Sequence, residues 1–263
     1  MTPALFLDDV RVRLRDRDVL VGVDLRVAPG ECRALVGLNG AGKTTVLRVL
    51  LGMLRPSAGH VSLFGDDVAT APRAMWARVG HLVESPACYP ELTARENIRC
   101  AARLHGADPR ALETSTQRLA AALGLDPWLD VPVRRCSLGT RQKVGLASAL
   151  AHEPELVVLD EPTNALDPLA VVAVREMVAE VTGRGGAVLL TSHHFDELAR
   201  VADAVDVLHR GRVVATISPD GQDLERAFFD TVLAADREQV APTPRDDQVD
   251  QMDRVGPAIE KRS

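Results

Sequence analysis

The chain has 263 residues, enough for one large α/β domain or two small ones, and 46% hydrophobic content supports a sizeable core. A net charge of −6 argues against a dedicated nucleic-acid binder, so no nucleic-acid partner is expected. No apolar run approaches the ~20 residues of a membrane span, the N-terminus lacks a signal-peptide pattern, and Cys32, Cys88, Cys100 and Cys136 lack metal spacing and read as reduced thiols.

In chain order, Leu5 to Leu14 and Val19 to Val27 read as strands with partial alternation, and Ala28-Pro29-Gly30 as a turn. The apolar run Cys32 to Val36 then enters Gly37-Leu38-Asn39-Gly40-Ala41-Gly42-Lys43-Thr44-Thr45, which fits the phosphate-cradling P-loop G-x-x-x-x-G-K-[ST]. Glycines let successive backbone N–H groups turn toward an anion, Lys43 adds a point charge, and the Thr44 hydroxyl can reach Mg²⁺. Lys43 is one of only three lysines, which makes a background match less plausible. Helical spacing follows from Thr45 to Leu54. His60 to Phe64 and Val79 to Val83 are further strand candidates.

A helical block is expected from about Ser85 to Ala151. Thr93 and Glu96 form a capping box for a helix running to about His105. A second helix starts at Pro109 and ends near Gly124, and a third spans Leu138 to Ala151. Leu156 to Leu159 is wholly apolar, as in a parallel strand covered on both faces, and it ends in Asp160-Glu161. Beside a phosphate loop, Asp160 can hold Mg²⁺ through water and Glu161 can polarise an attacking water. Asp167-Pro168 starts a helix, and Ala187 to Leu190 and Ala204 to Leu208 are strands. After about Asp236 the apolar periodicity fades, and 236–263 reads as a polar, mobile tail. The pattern is an α/β core carrying a helical insertion.

Between the two acidic and phosphate motifs lies Cys136-Ser137-Leu138-Gly139-Thr140-Arg141-Gln142-Lys143. Here the chain resembles the ATP-binding-cassette family, with a degenerate form of its LSGGQ signature that keeps Ser137 and Gly139. Thr163-Asn164-Ala165-Leu166-Asp167 resembles the family's D-loop, and Thr191-Ser192-His193 its switch loop. The resemblance, over about Leu5 to Asp230, implies a P-loop NTPase (RecA-like) core with an N-terminal antiparallel β subdomain and a helical insertion subdomain. It implies one nucleotide-binding domain over 1–235 with ATP and Mg²⁺ as cofactors. Residues Gly37 to Thr45 would bind nucleotide, Thr44 and Asp160 would place the metal, Glu161 would activate water, and His193 would contact the γ-phosphate. Ser137, Gly139 and Asp167 would act in trans, from a second subunit in a homodimer or a heterodimer with a similar cassette.

Two departures stand out. The family usually has Gln where this chain has Glu84, and Ser85-Pro86-Ala87-Cys88-Tyr89-Pro90 resembles the segment of bacitracin- and lantibiotic-type exporter cassettes. Glu84 is therefore expected to bind Mg²⁺, take part in catalysis and couple to a membrane partner. The family's adenine-stacking aromatic falls by register on Leu14, which offers apolar contact but no π-stacking. Cys136, at a helix start, reads either as a thiolate-prone group or as a small apolar replacement for Leu. The resemblance implies an ATPase that powers a separate transmembrane permease, exporting a drug, peptide antibiotic or similar compound. Such a subunit is cytoplasmic and peripheral on the inner face of the membrane. The alternative is a soluble ATPase of the same family serving a cytosolic assembly complex, such as iron–sulfur cluster biogenesis.

Overall fold

A tight turn at Arg15-Asp16, with Arg15 at φ 54°, joins two antiparallel strands, β1 (Leu5–Leu14) and β2 (Arg17–Val27). The computed structural model describes residues 2–221 and 223–240. β3 (Cys32–Val36) leads into α1 (Lys43–Leu50), and a hairpin of β4 (Ala58–Leu63) and β5 (Asp66–Asp67) follows. The helix after the phosphate loop is thus shorter than the spacing to Leu54 suggested, because the chain turns at Gly52, φ 67°. The first sheet has the order β2-β1-β4-β5, all antiparallel.

α2 (Arg73–Trp76) precedes β6 (Val79–Leu82). The helical block holds α3 (Ala94–Leu104), α4 (Pro109–Leu123) and α5 (Leu138–Leu150). The capping box forms as the sequence indicates: Glu96 N–H donates to Thr93 Oγ1 at 3.2 Å, and Thr93 N–H donates to Glu96 Oε2 at 2.8 Å. β7 (Leu156–Asp160), α6 (Pro168–Gly183), β8 (Ala187–Thr191), α7 (Phe195–Val201), β9 (Ala204–His209), β10 (Arg212–Ile217) and α8 (Leu224–Val240) complete the described chain. Helix α8 continues past the boundary expected near residue 235, and the rest of the expected tail, 241–263, lies outside the described residues.

The second sheet has the order β10-β9-β3-β8-β7-β6, parallel except at the edge strand β10. All five residues of β8 and the first four of β7 are buried, because apolar groups cover both faces of these strands. Two hydrophobic clusters meet along this sheet. One joins it to the helical block and α6; the other joins it to the antiparallel sheet and α1. Each fully buried Leu, such as Leu35 or Leu189, contributes roughly 1.5–3 kcal/mol. That rigid frame holds the C-terminal ends of β3, β7, β8 and β9 along one edge, the place where open α/β sheets bind ligands. Among the described residues no helix is long and apolar enough to cross a membrane.

Candidate functional site

Residues Gly37 to Gly42 connect β3 to α1. Gly42 precedes the first turn of α1 at φ 111°, with no side-chain cap on the helix. L side chains rarely adopt that conformation, and a Cβ there would lie 2.8 Å from Leu20 Cδ2. Without a capping side chain, the first-turn N–H groups and the positive end of the helix dipole are left to an anion. Lys43 Nζ donates to the Gly37 carbonyl at 2.6 Å. Burial pushes its pKa down, opposed by the nearby Glu161 and Asp160. An ammonium so placed is stabilised by any anion that enters beside it.

Strand order builds the rest. β3 lies between β8 and β9, with β7 beyond β8, so the ends of β8 and β7 flank the loop on one side and the end of β9 on the other. Asp160, the last residue of β7, accepts from Thr44 Oγ1 at 3.2 Å through Oδ2 and from Thr191 Oγ1 at 2.6 Å through Oδ1. The Thr191 hydroxyl also accepts from the Glu161 backbone N–H at 3.0 Å. One buried hydroxyl therefore fixes the Asp160 carboxylate and the Glu161 backbone together. His193 Nε2 stands 3.0 Å from Glu161 Oε1. Both Glu161 carboxylate oxygens are buried and, among the described residues, neither accepts an aligned hydrogen bond.

Lys43, Thr44, Asp160, Glu161 and His193 line one cleft of about 930 Å³. Its donor set suits a hard divalent cation: a hydroxyl from Thr44, a carboxylate from Asp160, and the Glu161 carboxylate in the same cleft. Among the described residues no cluster of three or more His, Cys, Asp or Glu is poised to hold a metal. Any such ion would take most of its shell from phosphate and water, as Mg²⁺ does.

The other expected site residues fall elsewhere. Ser137 caps α5, its Oγ accepting from Thr140 N–H at 3.1 Å. Gly139 packs so closely on the 163–166 loop that a Cβ would lie 2.4 Å from the Ala165 carbonyl oxygen. Asp167 caps α6 through Ala170 N–H at 3.0 Å and pairs with Lys143 Nζ at 2.5 Å. The hydrogen bond from Lys143 holds this carboxyl below the usual range. None of Ser137, Gly139 and Asp167 lines the cleft.

Two more of the expected site residues stand outside the cleft lining. Glu84 does not enter the cleft: the backbone turns there, at φ 67°, and the carboxylate is ion-paired with Arg48, on α1 one helical turn beyond Thr44. Leu14 does not line the cleft either. It pairs with Arg17 across the hairpin, and it is β2, through Arg17, Asp18 and Val19, that borders the space. The thiolate reading of Cys136 also fails, since burial pushes its thiol up; it is an apolar packing residue, 5% exposed. His193 lines the cleft, while His194 precedes α7 and its N–H donates to Ser192 Oγ at 3.0 Å.

Sequence reasoning assigned no role to Thr191 or Gln142, although both stand inside the quoted motifs. Gln142 Nε2 donates to the Pro162 carbonyl at 3.2 Å, tying α5 to the segment after Glu161. Their partners lie 31 and 20 residues away, so no local pattern announced them.

The sequence model of the ABC transporter family matches residues 20–164. The daunorubicin resistance ATP-binding protein DrrA3 of Streptomyces coeruleorubidus is 38% identical over 217 residues, 82% of this chain and 69% of that one. The chain belongs to the ABC transporter family. As an ABC ATPase it binds and hydrolyses ATP. The Nod factor export ATP-binding protein I of Bradyrhizobium diazoefficiens is 36% identical, over 82% of this chain and 71% of its own. The bacitracin transport ATP-binding protein BcrA of Bacillus licheniformis is 34% identical, over 75% and 64%. The solved structure of an ATP-binding subunit of an ABC transporter superposes with a TM-score of 0.82 at 31% identity, over 87% of this chain and 99% of that one. The P-loop core, antiparallel β sheet and helical block are thus those of an ABC cassette.

Proposed function

We propose that this ABC ATPase powers a separate membrane permease that exports a drug, peptide antibiotic or similar compound. The relatives named for daunorubicin resistance, Nod factor export and bacitracin transport support that reading over service to a cytosolic assembly complex. The protein then works at the inner face of the membrane, bound to its permease.

In the proposed site, first-turn N–H groups of α1 and Lys43 hold the β- and γ-phosphates along Gly37 to Thr45. Thr44 and Asp160 would hold Mg²⁺, which when bound would supply charge neutralisation for the transferring phosphoryl group. Glu161, oriented through Thr191, takes a proton from the attacking water, and His193 contacts the γ-phosphate. Glu84 lies with Arg48 between α1 and the segment leading to the helical block, a place from which it couples the site to the permease.

The observation that carries this reading is the separation of two half-sites. Lys43, Thr44, Asp160, Glu161 and His193 line one cleft, while Ser137 and Gly139 present a helix N-terminus outside it. Two chains, homologous or identical, placed head to tail would complete both sites, with Asp167 at the interface. ATP bridges the subunits, and its hydrolysis lets them part. The test is Glu161→Gln, which keeps binding but removes the base. Size-exclusion chromatography with Mg²⁺ and ATP should show a stable dimer; a variant that stays monomeric overturns the proposal.

A further inference from the structure

The flank of the cleft opposite Asp160 and Glu161 has its own construction. The Gly211 N–H donates to the Ala41 carbonyl at 3.1 Å, and the Val21 N–H donates to the Gly211 carbonyl at 2.8 Å. The β9–β10 turn, the start of β2 and the P-loop are thereby stitched together. Arg17 and Asp18 from β2 and His209 and Arg210 from the β9–β10 turn line this flank, and Asp236 of α8 lines it too. Asp236 Oδ1 accepts from His209 Nε2 at 2.8 Å and from Arg210 Nη2 at 2.8 Å. His209 is 5% exposed, so the carboxylate is anchored to the sheet while Arg210 reaches solvent at the cleft rim.

A nucleotide whose terminal phosphates lie toward Thr44 and Asp160 has this flank left for its nucleoside, because β9 lies on the far side of β3 from β8 and β7, and the start of β2 is tied to the β9–β10 turn. Among the described residues no Phe, Tyr or Trp lines the cleft, and none of the described carboxylates pairs with the Arg17 guanidinium. Guanidinium planes stack on π-systems and read their faces rather than their edges.

We infer that Arg17 and Arg210 form the base-binding wall, stacking a purine between or against their guanidinium groups, with Asp236 of α8 as the positioning residue that fixes Arg210. The C-terminal helix is then part of the nucleotide site. This inference rests on the reading of the cleft as the ATP site. It replaces the apolar contact expected from Leu14 with a cationic one.

The test compares binding of ATP, GTP and inorganic tripolyphosphate to the full chain by calorimetry. Arg17→Ala, at an exposed hairpin position, and Arg210→Ala should each weaken ATP and GTP binding by about 3- to 30-fold and leave tripolyphosphate binding within about twofold. Asp236→Asn should raise KM for ATP more than it lowers kcat, with Asp236→Glu restoring it. Equal losses for ATP and tripolyphosphate would mean a general charge effect and overturn the inference. So would wild-type ATP affinity in all three variants. If the wild-type chain binds neither ATP nor tripolyphosphate, the ATP reading of the cleft itself falls, and the inference with it.

Discussion

Arg48 on α1 and Glu84 beyond β6 are ion-paired across 36 residues of sequence. Both side chains are about half exposed, so the pair contributes little to stability, on the order of 0–1 kcal/mol. Its consequence is positional, because the guanidinium holds a carboxylate that is not among the groups lining the cleft. Arg48→Ala should release Glu84, and a magnesium titration of ATPase activity should then reach half-saturation at a lower concentration. In the double variant with Glu84→Ala the shift should vanish. An Arg48→Ala titration that overlays the wild type would show that the pair does not restrain Glu84.

Thr191 is fully buried and its hydroxyl serves Asp160 and the Glu161 backbone together. Thr191→Val keeps the volume but takes the donor from Asp160 Oδ1 and leaves the Glu161 N–H only the Thr191 carbonyl at 3.2 Å, at a cost of about 1–3 kcal/mol. Activity should drop more than stability does, roughly 10- to 100-fold in kcat if the lost alignment costs ~1.4–2.7 kcal/mol in the transition state. Thr191→Ser should recover most of it. Steady-state rates beside melting curves separate the two effects.

Gly139 lies against the 163–166 loop with no room for a Cβ. Gly139→Ala should push α5 from that loop and displace Ser137 and Asp167 together. Because none of the three lines the cleft, ATP binding to the monomer should persist while ATP-dependent dimerisation and hydrolysis are lost. Loss of monomer binding as well would point to a collapse of the whole fold.

His105 and His152 stack with ring centroids 4.1 Å apart, joining the ends of α3 and α5. Burial, with help from the nearby His105, pushes His152 down to about 4 from an ordinary value of 6.5. A folded-state pKa below the unfolded one favours the neutral ring, so the stabilisation is complete above pH 6.5 and is lost as pH falls toward 4. Melting temperature should therefore decline across that window. His152→Gln should make the decline shallower; an unchanged slope would exclude this residue as a cause.

The phosphate loop, the buried strands and the capping box of α3 were legible because each is local. Glycine spacing, apolar period and a Thr-x-x-Glu pair all act over a few residues. Edge strand β10 and helix α7 gave weaker signals. Strand β10 is only partly buried, so its apolar alternation is blurred. Helix α7 is seven residues long, with one buried position.

The sequence alone determined that this chain carries a P-loop and two acids after a buried strand, together with a degenerate signature at a helix start. From these came the family and its ATPase activity. Only the tertiary structure decided which groups meet. Thr44 reaches Asp160 over 116 residues, His209 reaches Asp236 over 27, and Glu84 pairs with Arg48 over 36. The physical reason is that secondary structure answers to neighbours along the chain. The company a side chain keeps depends on the order β9-β3-β8-β7 in the sheet, which crossover connections set at long range.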